Sequence, residues 1–144
     1  MGWLTLIASA IIAGPMALWM TGIAPAWMLV INFTGIMLTV RLYAVSASFA
    51  DSSWSSAGLG LFSGLTGGLI GEVLLHTASR THLAAVFSTY ASLGAELYRL
   101  DVLNRWFPFA MAALSSVFYA GLALFVHHLV QYRRKLLNLG DPKT

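Results

Sequence analysis

The chain has 144 residues, of which 58% are hydrophobic and only 9% are charged, and its mean hydropathy is +0.78. A water-soluble domain carries about a quarter charged residues, so this chain lacks the charge needed to cover a surface exposed to water. The absence of cysteine excludes disulfide bonds, thiolate metal sites and cysteine nucleophiles. The composition therefore predicts an all-α integral membrane protein.

Several apolar stretches are long enough to cross a bilayer, which takes roughly 20 residues of helix. We predict one transmembrane domain over residues 1–130, with spans at about 3–23, 25–46, 55–77 and 106–130. A further stretch at about 82–98 is shorter and more polar, so it either crosses, re-enters or lies along the interface; crossing is favoured. The expected fold is a compact bundle of four or five transmembrane helices.

Aromatic and basic residues mark the expected ends of these spans. Trp and Tyr favour the headgroup boundary, so Trp27 and Tyr43 are expected to bracket the second span, and Trp54 and Trp106 to stand at the entrances of the third and last. Arg41 is expected to end the second span, where its side chain can extend to the headgroups. No internal repeat or linker divides the chain.

The C-terminal segment, residues 131–144, is a basic tail that holds four of the eight Lys and Arg residues. Basic residues favour the cytoplasmic or matrix side, so we expect the tail there. With five spans the N-terminus then lies on the opposite side. No positively charged region precedes the first apolar stretch, so targeting is expected to reside in the spans themselves.

Small residues recur at every fourth position at the start of the third span. The members of this stripe are Ser56, Gly60, Gly64 and Gly68. Glycine at this spacing lets two helix backbones approach closely, which drives helix association in lipid. A four-residue step drifts by about 40° on a 3.6-residue helix, so about three consecutive members should share a face. We predict that the third helix is the central packing element.

Ionisable and polar residues also lie inside the apolar segments. Glu72 follows the stripe, and His76 lies one turn later, where its imidazole can bond the carboxylate or relay a proton. Asn32 lies deep in the second span and needs a hydrogen-bond partner. Two interpretations stay open, because these three residues either hold helices together or border an ion path.

A five-span topology brings several basic residues to one rim at the inner face. Its expected members are Arg80, His82, His127, His128, Arg133, Arg134 and Lys135. Such a rim either binds anionic headgroups, as of cardiolipin, or acts as a simple positive anchor. The histidines are conceivable haem ligands, and EVLLH lacks the second histidine of a zinc protease. We expect no metal and no cofactor apart from a bound anionic lipid.

Two fragments resemble the small dual-topology fluoride channels: VINFTGIML at 30–38 and FSTY at 87–90. The resemblance implies that Asn32 and Phe87 line an anion path, with Ser88 and Thr89 at a central break. The family's Gly-Gly-Leu-Thr-Thr run does not precede FSTY, and Leu18 stands where that family has an arginine.

These features favour a non-catalytic small subunit of a larger membrane complex, acting in helix packing, assembly and anionic-lipid binding. Its expected partners are other membrane subunits and lipids, with no nucleic acid, and its expected location is a mitochondrial or bacterial inner membrane. The alternative is a small ion channel or transporter. An enzyme is not expected, because no nucleophile, metal or phosphate motif is present.

Overall fold

The computed structural model describes residues 2–20, 25–50, 52–80 and 101–139. Apart from Ala50 and Ser52 these residues are helical, and the ranges contain no strand. The helices are α1 (Gly2–Met20), α2 (Pro25–Phe49), α3 (Ser53–Arg80) and α4 (Asp101–Leu139). The predicted all-helical class is therefore confirmed, and α4 extends well beyond the predicted segment 106–130 at both ends.

Three of the helices are long and apolar enough to cross a membrane. The candidate spans are Leu29–Phe49 in α2, Ser53–Leu74 in α3 and Phe109–Leu137 in α4, judged by length and composition. A fourth apolar stretch, Gly2–Met16 in α1, is shorter. The predicted segment at 82–98 lies outside the described residues.

Helix α3 lies between α1 and α4 and packs most extensively against these two. Gly60 of α3 lies against Ala123 of α4, and Gly68 lies against Ala112, so position numbers rise along α3 as they fall along α4. The two helices are therefore antiparallel. A chain with five spans would have these two helices parallel. The predicted direction of α4 is therefore wrong.

Helices α1 and α3 run parallel. Gly67 lies against Ile12, and Gly71 lies against Met16, so position numbers rise together along both helices. Because α4 opposes α3, the first residues of α1 and the last residues of α4 lie at the same end of the bundle. The prediction that the start of α1 and the end of α4 lie on opposite sides is therefore wrong.

Helix α2 packs against α1 and α4 and has few contacts with α3. Gly35 of α2 lies against the Pro15 ring, and a Cβ at Gly35 would be 2.8 Å from Pro15 Cγ. Near the other end of α2, Tyr43 joins a buried cluster formed with the neighbouring helices. The other buried members of that cluster are Ala8, Leu59, Ala123 and Val126.

The interior of the bundle consists mainly of small side chains, and its exterior of large apolar ones. Alanine and serine dominate the buried positions, whereas Phe33, Phe49, Trp54 and Val117 are each more than half exposed. This distribution is the inverse of a water-soluble core. It is typical of helices that pack through small residues and face lipid with large ones.

Candidate functional site: the contacts of α3

The glycines of the stripe bring α3 into backbone contact with α4. A Cβ added at Gly64 would lie 2.6 Å from the carbonyl oxygen of Ser115 and 2.7 Å from Ser116 Cα. A Cβ at Gly68 would lie 2.9 Å from Ala112 Cα. These distances leave no space for a methyl group, so glycine is required for the approach observed here.

Ser56, the first member of the stripe, also meets α4. Its Oγ lies 3.0 Å from Nδ1 of His127, and both residues are buried. All four members of the stripe therefore face α4, one more than the drift of a straight helix predicts. Two packed helices cross at an angle and bend, and a four-residue contact row then continues for longer.

Two further glycines form a separate contact with α1. A Cβ at Gly67 would lie 2.7 Å from Ile12 Cβ, and a Cβ at Gly71 would lie 3.2 Å from the carbonyl oxygen of Ala13. In the sequence these glycines appear only to thicken the stripe. In the fold they give α3 a second close contact with a different helix.

A hydroxyl bridge joins α1 to α3 beside these glycines. Ser9 Oγ and Thr66 Oγ1 are hydrogen-bonded to one another, and either oxygen can donate. Ser9 also lies within bonding distance of the Thr5 carbonyl, and Thr66 within that of the Phe62 carbonyl. Since each hydroxyl has one proton, the residue that donates across the interface gives up its bond to its own helix.

A second hydroxyl bridge joins α2 to α3 in the centre of the bundle. Tyr43 Oη lies 2.5 Å from Ser63 Oγ, and the two side chains are 2% and 0% exposed. Ser63 Oγ in turn donates to the Gly60 carbonyl at 3.1 Å, so Tyr43 is the donor of the shared bond. Tyr43 is therefore a core residue, and its expected position at the headgroup boundary is wrong.

The hydrogen bond between Ser56 and His127 connects two residues for which the sequence predicts different roles, helix packing for Ser56 and a lipid-binding rim for His127. A Ser and His pair is the smallest arrangement of nucleophile and base. Here, however, the side chains are only 4% and 5% exposed, so a substrate cannot reach the serine in this conformation. The arrangement is suited to holding α3 and α4 in register.

We expect Ser56 and His127 to be energetically coupled. In a double-mutant cycle of Ser56→Ala and His127→Ala, the coupling should be about 0.6 to 1.7 kcal/mol, as for other hydrogen bonds between membrane helices. Unfolding in detergent micelles, followed by tryptophan fluorescence, measures each variant. A cycle of Ser56→Ala with His128→Ala is the control, because His128 is exposed. Equal coupling in both cycles would contradict the bond.

The residues considered for an ion path occupy different environments. Glu72 of α3 is buried, at 7% exposure, inside the candidate span Ser53–Leu74. Asn32 of α2 is half-buried. His76 lies on α3, and its side chain is outside the described part of the structure, as are Phe87, Ser88 and Thr89 of the fluoride-channel resemblance. The described contacts do not join Asn32 to Glu72.

The basic residues do not form the single rim that the sequence predicted. Arg80 ends α3, whereas Arg133 and Lys135 lie near the end of α4, and these ends are opposite because the helices are antiparallel. His127 is buried against Ser56 and does not face outward. His82 lies outside the described residues.

A smaller basic group remains at the C-terminal end of α4. Its exposed members are His128, Arg133, Arg134 and Lys135. Arg134 Nη2 also donates to the Ser48 carbonyl at 2.5 Å. This bond satisfies one of the free carbonyls at the C-terminal end of α2, as basic side chains commonly do at helix ends. Arg134 therefore ties α4 to α2.

Two features of α2 and α3 are not predicted from the sequence. The sequence predicts Tyr43 at the membrane interface because tyrosine is common there, and nothing distinguishes its partner, Ser63, from the other serines of α3. Thr66 has no predicted role, although hydroxyls inside a predicted span can form hydrogen bonds between helices. In both cases the sequence contains a hydroxyl that needs a partner, but it does not indicate which helix supplies that partner.

No group of three or more His, Cys, Asp or Glu residues suited to a metal ion occurs among the described residues. No family model, curated protein or solved structure matches the chain. The class of the chain therefore follows from its structure alone: it is a helical chain with three helices long and apolar enough to cross a membrane.

Proposed function

We propose that the chain is a non-catalytic subunit of a larger membrane protein complex, with its helices in the bilayer. The observation that carries this proposal is the closed contact between α3 and α4. From Gly60 to Gly68 the two backbones leave no space for an added methyl group, so neither an ion nor a substrate has room between them. The hydroxyls of Ser9, Tyr43 and Ser56 bond to other helices of the same chain, which leaves the apolar exterior as the surface for interaction.

Anionic-lipid binding is part of this proposal. Arg133, Arg134 and Lys135 are consecutive and exposed on α4, and clusters of this kind attract anionic headgroups such as those of cardiolipin. The positive-inside rule favours the cytoplasmic or matrix side for this end. A mitochondrial or bacterial inner membrane, and an energy-transducing complex within it, are the setting that we propose.

Native mass spectrometry of the chain extracted in mild detergent from its own membrane tests the proposal. We expect it to be recovered with other polypeptides, and with anionic lipid retained. Gly64→Leu should abolish this recovery, because it forces α3 away from α4. Gly58→Leu is the matched control on α3, since a Cβ at Gly58 meets nothing within 4 Å. Recovery of the wild-type chain alone would contradict the proposal.

A small channel is the second candidate function, and the burial of Glu72 inside a candidate span is the observation that favours it. Ionisable groups at such depth commonly mark ion or proton paths. The purified chain in liposomes should then conduct ions, and Glu72→Gln should abolish the flux while leaving assembly intact. If wild-type liposomes show no flux above empty ones, this candidate fails.

A further inference from the structure

Arg41 lies in the middle of α2 and not near its end. The candidate span in this helix is Leu29–Phe49, and α2 itself continues to Phe49. Arg41 is therefore about 12 Å along the axis from the nearer end of the span. Two residues later, Tyr43 bonds Ser63, which lies close to the middle of the α3 span Ser53–Leu74. The arginine is thus near the mid-depth of the bundle.

The Arg41 side chain is on the outer surface of the bundle. It is exposed, and the residues one turn before and after it on the same side of α2 are apolar and exposed. We name this surface the α2 face, and its residues are Phe33, Met37, Leu38, Arg41 and Val45. In the described structure Arg41 has no hydrogen bond or ion pair. A guanidinium is therefore presented alone in an apolar surface.

Extension of Arg41 to a headgroup region is disfavoured by geometry. Side chains on an α-helix tilt toward its N-terminus. The nearer end of α2 is the C-terminal one, so the shorter route to water runs against this tilt. Toward the N-terminus, which is the direction of the tilt, the first residue of the span, Leu29, is farther from Arg41 than Phe49 is. An arginine at this depth in lipid is costly and normally faces protein or water.

We infer that the α2 face is the contact surface for a transmembrane helix of a different polypeptide, which presents a carboxylate at the depth of Arg41. This inference rests on the proposed function and names the chemistry of the partner. A planar guanidinium pairs with a carboxylate through two parallel hydrogen bonds, and such a pair is strong where water is absent. The apolar residues around Arg41 supply the packing surface of the contact.

A second copy of this chain is a poor occupant of the α2 face. A two-fold dimer through this surface would bring Arg41 close to the same residue of the other copy, which places like charges together. The carboxylate described inside a span, Glu72, is buried in its own bundle. The part of the chain that the structure describes thus offers Arg41 no exposed carboxylate inside a span, and we assign the complementary charge to another polypeptide.

Site-specific photocrosslinking in the native membrane tests the inference. A benzophenone amino acid replaces Met37 or Val45 of the full-length chain, and the same probe at Leu114, an exposed residue of α4, reports on a different surface. We expect the α2 probes to capture a different polypeptide, which mass spectrometry then identifies. Arg41→Leu should lower the yield of this product at least tenfold, whereas Arg41→Lys, which keeps the charge but not the two parallel hydrogen bonds, should lower it less.

Two measurements separate loss of the contact from loss of folding. The thermal unfolding of the extracted Arg41→Leu chain should equal that of the wild type, because in the isolated chain the substitution only removes a charge from an exposed surface. Arg41→Glu should also abolish the crosslink, and lysine in place of the partner's carboxylate should restore it. Rescue by this exchange of charges would not follow from a general effect on folding.

Other outcomes overturn the inference. Capture of a second copy of this chain by the α2 probes, or an unchanged yield with Arg41→Leu, would exclude the proposed contact. A change in ion flux with association unaffected would assign Arg41 to an aqueous path. If the Leu114 probe captures a partner and the α2 probes do not, the subunit function stands and this inference fails. Absence of any product from every position would overturn both.

Discussion

Replacement of Gly64 with alanine should destabilise the bundle by about 1 to 3 kcal/mol, the usual cost of overpacking a core. The new methyl group would lie 2.6 Å from the Ser115 carbonyl oxygen and 2.7 Å from Ser116 Cα. Both are main-chain atoms, so a rotamer change cannot relieve the overlap and α3 must move away from α4. The free energy of unfolding in detergent micelles measures this loss.

Gly58→Ala is the control for this experiment, since it makes the same chemical change in the same helix. A Cβ at Gly58 meets nothing within 4 Å, so the higher helix propensity of alanine should leave stability unchanged or raise it by up to about 1 kcal/mol. If Gly58→Ala and Gly64→Ala lower the stability equally, the close contact between α3 and α4 does not hold the bundle together.

Tyr43→Ala should cost about 3 kcal/mol, because it leaves a cavity in the centre of the bundle. The side chain is 2% exposed and packs in the cluster that includes Leu59 and Ala123. Tyr43→Phe should cost only about 0.5 to 1.5 kcal/mol, the usual value of one hydrogen bond, because Ser63 still donates to the Gly60 carbonyl. Equilibrium unfolding of the two variants separates the packing of the ring from the bond of its hydroxyl.

Tyr132→Ala provides the comparison for a tyrosine on the surface of α4. Tyr132 is 63% exposed, so its removal should change the free energy of unfolding by less than about 0.5 kcal/mol. A similar loss at Tyr43 and Tyr132 would place Tyr43 at the surface, as the sequence analysis expected. A Tyr43→Phe variant as unstable as Tyr43→Ala would show that the hydroxyl matters more than the ring.

The helical class and the glycine contact are both readable in the sequence, for physical reasons. A bilayer requires long apolar helices, so composition and segment length are sufficient to identify α2, α3 and α4 as candidate spans. Glycine at four-residue spacing marks a helix face without side chains. The structure places Gly60, Gly64 and Gly68 together against α4.

The sequence does not predict in the same way which helices pack against one another. A repeat such as Gly67 and Gly71 gives a face of α3, but it does not say that α1 will cover that face. The direction of α4 relative to α3 depends on the number of membrane crossings between Arg80 and Asp101. Five spans predict parallel helices, whereas the structure has them antiparallel. The predicted basic rim failed for this reason, and with it the expected surface position of His127.

Helix α4 is longer than a bilayer is thick. Its 39 residues extend for about 58 Å, whereas a bilayer with its headgroups measures roughly 40 to 45 Å. Set upright in the bilayer that we propose, α4 would exceed it by about 13 to 18 Å in all, shared between its two ends, and Arg133, Arg134 and Lys135 lie near the C-terminal one. The excess length would give the proposed membrane bundle helical ends outside the hydrocarbon, where peripheral proteins can contact them.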